Sequence, residues 1–423
     1  MENGARIRMF DNNSDYNQKA TWYITIPENS TVRIDASSRC NINGSFSGAG
    51  TLNYYVPYVR ADLVAGGGNN FTGKINVTGR DFRITANTAS FPQAAVNLGS
   101  DVFMGAYSSI GSSSTNSSTI VKIGSLSGEA TSKVGGGTWQ IGTDGRDATF
   151  NGEFQTGAKV TKLGTGKWTL TNASATADAF TVSDGTLLVR NTTGSATGTG
   201  NLSLTNSAVL MGTGAIGGNV TLNFTSRLSP GINETSIGTL SFSKNLTLTQ
   251  NTTTLIKTNA ASNDKLNVTG ILNLNGTLEM KNIGATWESG KSYQLFTAGT
   301  INGSFTSILP EVPGEGLEWD VSRMNEGIIA VKIGTGVKRI DASRVKIYPQ
   351  PVKDYCFVSL ENEIAGKIRL EIFNANGGKE ITYSDTSSDI QIKLDMSGLP
   401  AGIYFLRLTN AESAVFTHKL IKL

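Results

Sequence analysis

The chain has 423 residues, of which 49 are glycine, 9 are proline and 16% are charged, and its formal net charge is +3. This length is typical of two or three domains or of one long repeat fold. The near balance of charge, without a Lys/Arg cluster outside the C-terminal tail, gives no electrostatic support for nucleic-acid binding. No apolar run reaches the roughly 18 residues that a membrane-spanning helix needs, which excludes such a helix.

The composition also excludes several kinds of catalytic site. His418 is the only histidine, so the body of the chain cannot hold a Ser-His-Asp triad or an ordinary His/Cys zinc site. Cys40 and Cys356 lie in different regions and are predicted to be unpaired, which excludes a disulfide scaffold. We therefore predict no catalytic constellation, no metal site and no cofactor, although carboxylate chemistry stays open.

Residues 1–130 contain short segments bounded by glycine and asparagine, such as 41–52 and 70–77. They predict turns of a repeat fold. Residues 11–15 resemble the start of a calcium loop. Tyr16 stands where that loop requires glycine, and Trp22 stands where it requires glutamate. We interpret residues 11–15 as a polar loop.

One aromatic and basic cluster in this region is a candidate glycan contact. Its members are Tyr54, Tyr55, Tyr58 and Arg60. Flat rings stack on sugars, and an arginine donates hydrogen bonds to them. The alternative is that the rings pack in the interior. Alternation along a strand puts Tyr54 and Tyr55 on opposite faces, so at least one of them could be exposed.

The middle of the chain is built from short repeated strands that alternate apolar residues with Ser or Thr. Strands this short bury little area alone, but stacking them in successive turns produces a continuous core. Thr and Val suit the wall of such a stack, and Gly and Asn suit its corners. The pattern predicts an all-β fold, a right-handed parallel β-helix (β-solenoid) whose two ends need caps. The predicted strands are 185–189, 201–204, 219–222, 238–242, 245–248, 267–270 and 276–280.

The segment Thr161–Leu170 followed by Asp184–Val189 resembles the autotransporter-associated β-strand repeat. The similar stretches 212–220, 228–231, 263–270 and 316–320 continue the resemblance, which covers about residues 130–333. The resemblance implies a β-helix stalk displayed at a cell surface.

The nearest acidic and basic grouping in the body of the chain is Asp144–Asp147, which we interpret as a turn with solvated charges rather than a catalytic site. Asp264 is interpreted as the cap of a turn. The glycine groups 135–137 and 212–214 are interpreted as corners, because no strand–loop–helix context supports phosphate binding.

The C-terminal residues predict a second fold. Residues 334–344 form a short polar linker, and period-two alternation in 367–373 and 390–396 predicts half-buried strands. Turn signals at 376–378 and 399–402 separate such strands. About seven short strands favour a small antiparallel Ig-like β-sandwich over residues 345–423.

This tail closely resembles the type A C-terminal sorting domain of type IX secretion cargo in the Bacteroidetes, although Gln350 departs mildly from the pattern. The resemblance implies transport across the outer membrane by the type IX translocon and sorting machinery. Release, or anchoring to surface lipopolysaccharide, would follow, with a cut near the linker. The matching residues are Tyr348, Pro349, Pro351, Gly377, Leu399, Pro400, Gly402, Tyr404, Lys419 and Lys422.

The two ends of the chain give different expectations. Exported cargo first needs a signal peptide, and Met1–Arg6 lacks the basic and then apolar pattern of one. We therefore expect the chain to be the later part of a longer precursor. Residues 1–130 also look similar to segments that follow catalytic domains in large polysaccharide-degrading proteins of the Bacteroidetes.

The sequence thus predicts N-terminal rungs (1–130), repeat rungs (131–333), a linker (334–344) and a sorting domain (345–423). The leading hypothesis is a secreted or surface β-helix that acts as a non-enzymatic stalk, adhesin or glycan-contact module. The alternative is an accessory C-terminal part of a larger, pectate-lyase-like polysaccharide-degrading enzyme whose catalytic domain lies upstream. A third hypothesis makes the β-helix itself a polysaccharide lyase.

Overall fold

The computed structural model describes residues 1–9, 18–37, 39–57, 61–63, 70–85, 90–284, 286–334, 340–360, 368–385, 391–410 and 414–423. For residues 18–20, 61, 384 and 385 it describes the backbone alone. The chain divides into two compact units, which we call the solenoid unit and the C-terminal unit. The solenoid unit is Met1–Gly314 with Trp319–Lys332, and the C-terminal unit is Glu315–Glu318 with Ile333–Leu423.

The solenoid unit confirms the predicted parallel β-solenoid. Strands Leu202–Leu204, Val220–Leu222 and Leu246–Leu248 pair in parallel and in register from one turn to the next. In each strand the first and last side chains are buried, and a Ser or Thr lies between them on the outer face. Apolar side chains therefore stack on apolar side chains along the whole core.

The turns vary in length, which explains why the sequence shows no strict period. Ser207 and Thr225, which meet across neighbouring turns, are 18 residues apart, whereas Thr277 and Ser307 are 30 apart. The extra residues lie between the paired strands, so a long turn leaves the stacking of the strands unchanged.

One strand of each turn belongs to a continuous parallel ladder, which we call the long ladder. It crosses the predicted boundary at residue 130 without a break. Its strands are Arg6–Met9, Thr31–Ala36, Thr51–Val56, Lys74–Gly79, Phe91–Leu98, Ile120–Gly128, Ala148–Phe150, Lys167–Leu170, Thr186–Val189, Val209–Gly212, Arg227–Pro230, Thr253–Thr258, Thr277–Asn282 and Ser307–Leu309.

Two further sets of strands form the other walls. The first runs from the Ile120–Gly128 strand through Gly137–Ile141, Ala158–Lys162, Phe180–Val182, Leu202–Leu204, Val220–Leu222, Leu246–Leu248, Lys265–Leu274 and Phe296–Gly303, with Ala215–Ile216 and Thr239–Phe242 beside its end. The second, called the N-terminal sheet, comprises Gln18–Thr25, Cys40–Gly48, Ala61–Leu63, Asn70–Phe71, Asp81–Thr85, Phe103–Tyr107, Lys133–Gly135 and Glu153–Phe154.

Glycines form a column at one corner of the solenoid. Gly142, Gly164 and Gly185 all have positive φ, between +63° and +104°. A Cβ on Gly164 would lie 2.0 Å from the carbonyl oxygen of Gly142, and a Cβ on Gly185 would lie 2.5 Å from that of Gly164. Only glycine permits both this backbone conformation and this spacing between turns.

Two lysines are buried inside the solenoid, and each has polar partners. Lys162 donates hydrogen bonds of 2.9–3.0 Å to the carbonyl oxygens of Leu163, Gly164 and Asp184. Lys257 forms a 2.6 Å ion pair with Asp264, and both side chains are fully buried. Asp264 also accepts the backbone N–H of Lys257, so it organises a turn. These partners offset the cost of burying the charges.

A small separate sheet lies at the end of the solenoid. Its strands are Ser292–Gln294, Leu317–Asp320 and Ile328–Ile333, and the first and last pair antiparallel. A 3₁₀ helix at Met324–Glu326 ends in Gly327, whose carbonyl accepts the N–H of Leu295 at 2.8 Å. Gly327 therefore lies against Leu295 and Phe296, at the start of the strand Phe296–Gly303.

The C-terminal unit is antiparallel, and Ala342–Arg344 forms a short 3₁₀ helix before its first strand. The two sheets share one apolar core that includes Val358, Ile372 and Leu406. One sheet contains Val345–Tyr348, Tyr355–Leu360 and Gln391–Asp395, and the other contains Lys379–Asp385, Ile368–Asn374, Gly402–Thr409 and Val415–Lys422.

Candidate functional sites

An open groove lies on the outer face of the long ladder, and we call it the cationic groove. Its volume is about 460 Å³. Three of the side chains that line it are cations drawn from different turns, namely Lys74, Arg146 and Lys167. Asp147 lies at the same site, and Ser125 and Ser127 contribute hydroxyl groups. The groove brings together residues that are far apart in the sequence.

Arg146 is held rigidly in this groove. Its Nε pairs with Asp144 at 3.3 Å, and one amino group, Nη2, donates to the carbonyl oxygens of Thr72 and Gln93 at 2.7 and 3.1 Å. The other amino group, Nη1, makes no hydrogen bond within the part of the chain that the structure describes. The guanidinium is therefore positioned by three turns and keeps two N–H donors for another partner.

The side chain of Asp144 is buried, which corrects the interpretation of Asp144–Asp147 as a turn with solvated charges. Its side chain is only 2% exposed and accepts a hydrogen bond from Ser125 at 3.0 Å. Asp147, in contrast, is 66% exposed and lies 3.7 Å from the ammonium of Lys167. The two carboxylates therefore differ in role: Asp144 positions Arg146, and Asp147 lies at the surface of the groove.

A column of polar side chains continues from the groove toward the first turns. Register pairs place Asn97 beside Asn76, Asn76 beside Asn53, and Asn53 beside Arg33. The amide of Asn76 donates to Asn53 at 3.0 Å. The column ends at Asp35. Burial alone would raise its pKa, but hydrogen bonds from Arg33 and Arg6 outweigh burial and lower the pKa.

The structure places the two described members of the predicted aromatic glycan contact, Tyr54 and Tyr55, on opposite faces of one strand. Tyr54 is 1% exposed and packs edge-on against Phe82 in the core, so its assignment as a glycan contact is wrong. Burial raises the pKa of Tyr54 well above its usual value. Tyr55 is half-buried on the opposite face, under the guanidinium of Arg33 at 4.9 Å. Tyr58 and Arg60 lie outside the described residues.

A buried polar network on the N-terminal sheet was not predicted. Arg83 donates from Nε to Asp62 at 2.8 Å and from Nη2 to the carbonyl of Ser112 at 2.6 Å. Its guanidinium lies 3.5 Å from the centroid of the Tyr107 ring, and Thr85 donates to Asp62 at 2.7 Å. Arg83 and Asp62 are at most 3% exposed, so this network fixes the Ser112 loop rather than presenting an open site.

Several residues of the predicted sorting motif are buried in the C-terminal unit, pack against its core or form one of its turns. Tyr404 is buried and donates its hydroxyl to the carbonyl of Pro400 at 2.9 Å. Lys422 is buried, and its ammonium donates to the main-chain oxygen of Leu423 at 2.7 Å. Gly377 has a φ of +83° in the turn between two strands, and Leu399 packs against the core.

The remaining motif residues lie at the surface. Tyr348 is 42% exposed and is hydrogen-bonded to Gln391. The centroid of its ring lies 5.8 Å from that of Phe357. The other exposed members are Pro349, Pro351, Pro400, Gly402 and Lys419.

An apolar surface that the motif did not indicate lies beside Lys419. Ile403, Phe405 and Ile421 are 40–45% exposed, and Ile403 is directly opposite Ile421 in the sheet. The sequence signal is the unbroken apolar run Ile403–Leu406, which cannot be buried on one face of a strand.

Cys40 and Cys356 are unpaired, as predicted. Both are also buried, and burial raises the pKa of Cys40 to about 12. Within the described ranges, no group of three or more His, Cys, Asp or Glu side chains could hold a metal ion. The part of the chain that the structure covers also contains no helix with the length and hydrophobicity to span a membrane.

Comparison with known proteins identifies the C-terminal unit. A search of the curated proteins finds none that matches the chain. Residues 346–423, however, match the family described as the secretion system C-terminal sorting domain. The match covers the strands, the exposed Tyr348 and Lys419, and the buried Tyr404 described above. Residues 346–423 are therefore a type IX C-terminal sorting domain, which implies interaction with the sorting machinery and export to the cell surface or the medium.

Proposed function

We propose that the chain is the non-enzymatic contact module of an exported protein, in which the solenoid binds glycans outside the cell. The observation that carries the proposal is the cationic groove, where Arg146 is held by Asp144 and two backbone carbonyls, while its Nη1 donates no hydrogen bond to any residue that the structure describes. Fixed donors on a stiff wall suit recognition, because little conformational freedom is lost on binding. The sorting domain supplies the route to the surface.

The arrangement of the charged groups supports binding rather than catalysis. Asp62 and Arg83 are buried in an internal network, and Asp264 is buried in an ion pair with Lys257. In the groove, Asp144 is buried against Arg146, which leaves Asp147 as the exposed carboxylate among the groove residues named above. Glycosidases of the usual kind need two positioned carboxyl groups, one as acid and one as base or nucleophile.

The exposed apolar surface of the sorting domain supports a second part of the proposal. Ile403, Phe405 and Ile421 form the face that contacts the sorting machinery, with Lys419 at its margin. An exposed patch of this kind on a small domain is typical of a protein-binding site.

The experiment is retention of the purified full chain on a panel of immobilised neutral and acidic polysaccharides, followed by sizing of the polymer. We expect retention by at least one polysaccharide and no change in polymer length. Failure to bind any member of the panel would contradict the contact function. Shortening of a polymer would instead establish an enzyme.

A further inference from the structure

We infer that the cationic groove is a subsite for an anionic polysaccharide, whose carboxylate or sulfate groups pair with Lys74, Arg146 and Lys167. This inference rests on the proposed contact function and assigns it a ligand class and a location. Neither the sorting domain nor the general solenoid fold requires such a site.

The first argument is the balance of charge in the groove. The ammonium of Lys74 is exposed and makes no ion pair with any residue that the structure describes. Lys167 is 48% exposed, and the nearest carboxylate oxygen, on Asp147, is 3.7 Å away. The groove therefore contains three cations against one exposed and one buried carboxylate. Its field favours an anionic ligand.

The second argument is the geometry of Arg146. A guanidinium bonded only to Asp144 could be a simple surface ion pair, but two backbone carbonyls also hold it. The amino group that remains, Nη1, presents two N–H donors at one side of the planar group. Carboxylate and sulfate oxygens accept such charge-assisted hydrogen bonds strongly.

The third argument is the floor of the groove, which is small and hydroxylated. Ser125 and Ser127 lie on one strand, and Thr149 lies beside Thr169 on the next two. Small side chains leave room for a sugar ring. The hydroxyls of Ser125 and Ser127 donate to Asp144 and Asn97, so toward a sugar they can act as acceptors. The polar column of Asn97, Asn76 and Asn53 extends this surface along the ladder, so a polymer could lie across several turns.

The test compares the full chain with the double variant Lys74→Gln/Lys167→Gln. The probes are polygalacturonate for carboxylates, heparin for sulfates and dextran as the neutral glycan, and calorimetry measures affinity at low and high salt. Both lysines are exposed, so the variant should keep the melting temperature of the wild type. We expect about tenfold weaker binding of the anionic probe and a smaller dependence on salt.

The matched control is Lys122→Gln/Lys159→Gln, which removes the same charge from exposed positions outside the groove. This control should bind like the wild type. Equal loss of affinity in both double variants would mean that only the overall charge matters, and would overturn the inference.

Binding of dextran alone, unchanged in the groove variant, would also overturn the inference while leaving the contact function intact. Absence of binding to every probe would overturn both. The carboxylate and sulfate probes distinguish the two sources of anionic groups.

Discussion

Lys162 illustrates how a single side chain can supply hydrogen bonds to buried carbonyl oxygens in the solenoid. Its side chain is 1% exposed, and its ammonium binds three carbonyl oxygens, two from its own corner and one from the next turn. Burial lowers its pKa to about 8, although Asp184 and Asp147 oppose the shift. At this corner the lysine ammonium donates to three carbonyl oxygens, which would otherwise need backbone N–H donors.

The lowered pKa of Lys162 predicts a dependence of stability on pH. The unfolded chain keeps the proton up to a pKa of 10.5, whereas the folded protein releases it near 8. Between these values the unfolded state binds more protons, so the free energy of unfolding rises as pH rises. The wild type should gain about 2–3 kcal/mol between pH 7 and pH 10 relative to Lys162→Met.

Thermal unfolding at the two pH values measures this difference. Lys159→Met, an exposed change in the same strand, is the control and should alter the melting temperature little at either pH. A constant difference between wild type and Lys162→Met across the range would show that Lys162 does not titrate as described.

At the scale of elements, the strands follow directly from alternating short segments. The predicted strand 185–189 is observed as Thr186–Val189, and the predicted 245–248 as Leu246–Leu248. The flanking glycine or asparagine belongs to the corner rather than to the strand. The local pattern was sufficient because each strand needs only two inward apolar residues.

The cationic groove could not be predicted from the sequence in the same way. Lys74, Arg146 and Lys167 meet only because their turns stack, and local patterns do not determine turn lengths between 18 and 30 residues. For the aromatic cluster, the local pattern was informative but incomplete. Alternation correctly separated Tyr54 from Tyr55, but could not decide which of them faces the core.

The corner glycines carry a prediction at this scale. Gly164 and Gly145 both have positive φ, +65° and +72°, so alanine strains the backbone at either position. A Cβ at Gly164 would meet the Gly142 carbonyl at 2.0 Å, whereas at Gly145 its nearest neighbour is the Thr165 hydroxyl at 3.4 Å. Gly145→Ala should cost about 1 kcal/mol, and Gly164→Ala more than about 3 kcal/mol.

Limited proteolysis and thermal unfolding of the two variants test this expectation. Gly164→Ala should admit protease to the turns around residues 142–185, because the stacking of neighbouring turns is disrupted. Similar stability of the two variants would show that the backbone conformation, rather than the close approach of turns, requires glycine at this corner.

At the scale of the whole molecule, the two compact units have different tasks. The solenoid unit combines a continuous apolar core with polar outer faces, and its groove is the proposed contact site. The C-terminal unit has a separate core and matches the sorting family. This division predicts that export depends on residues 345–423 and that the proposed glycan binding depends on the solenoid.

The most direct test of this account is the location of the protein in the producing cell with and without residues 345–423. Both forms are expressed from the native locus, and surface exposure is measured by antibody labelling of intact cells together with fractionation. We predict that the full chain reaches the surface or the medium and that the truncated chain stays in the periplasm. Arrival of the truncated chain at the surface in equal amount would contradict the assigned role of the C-terminal unit.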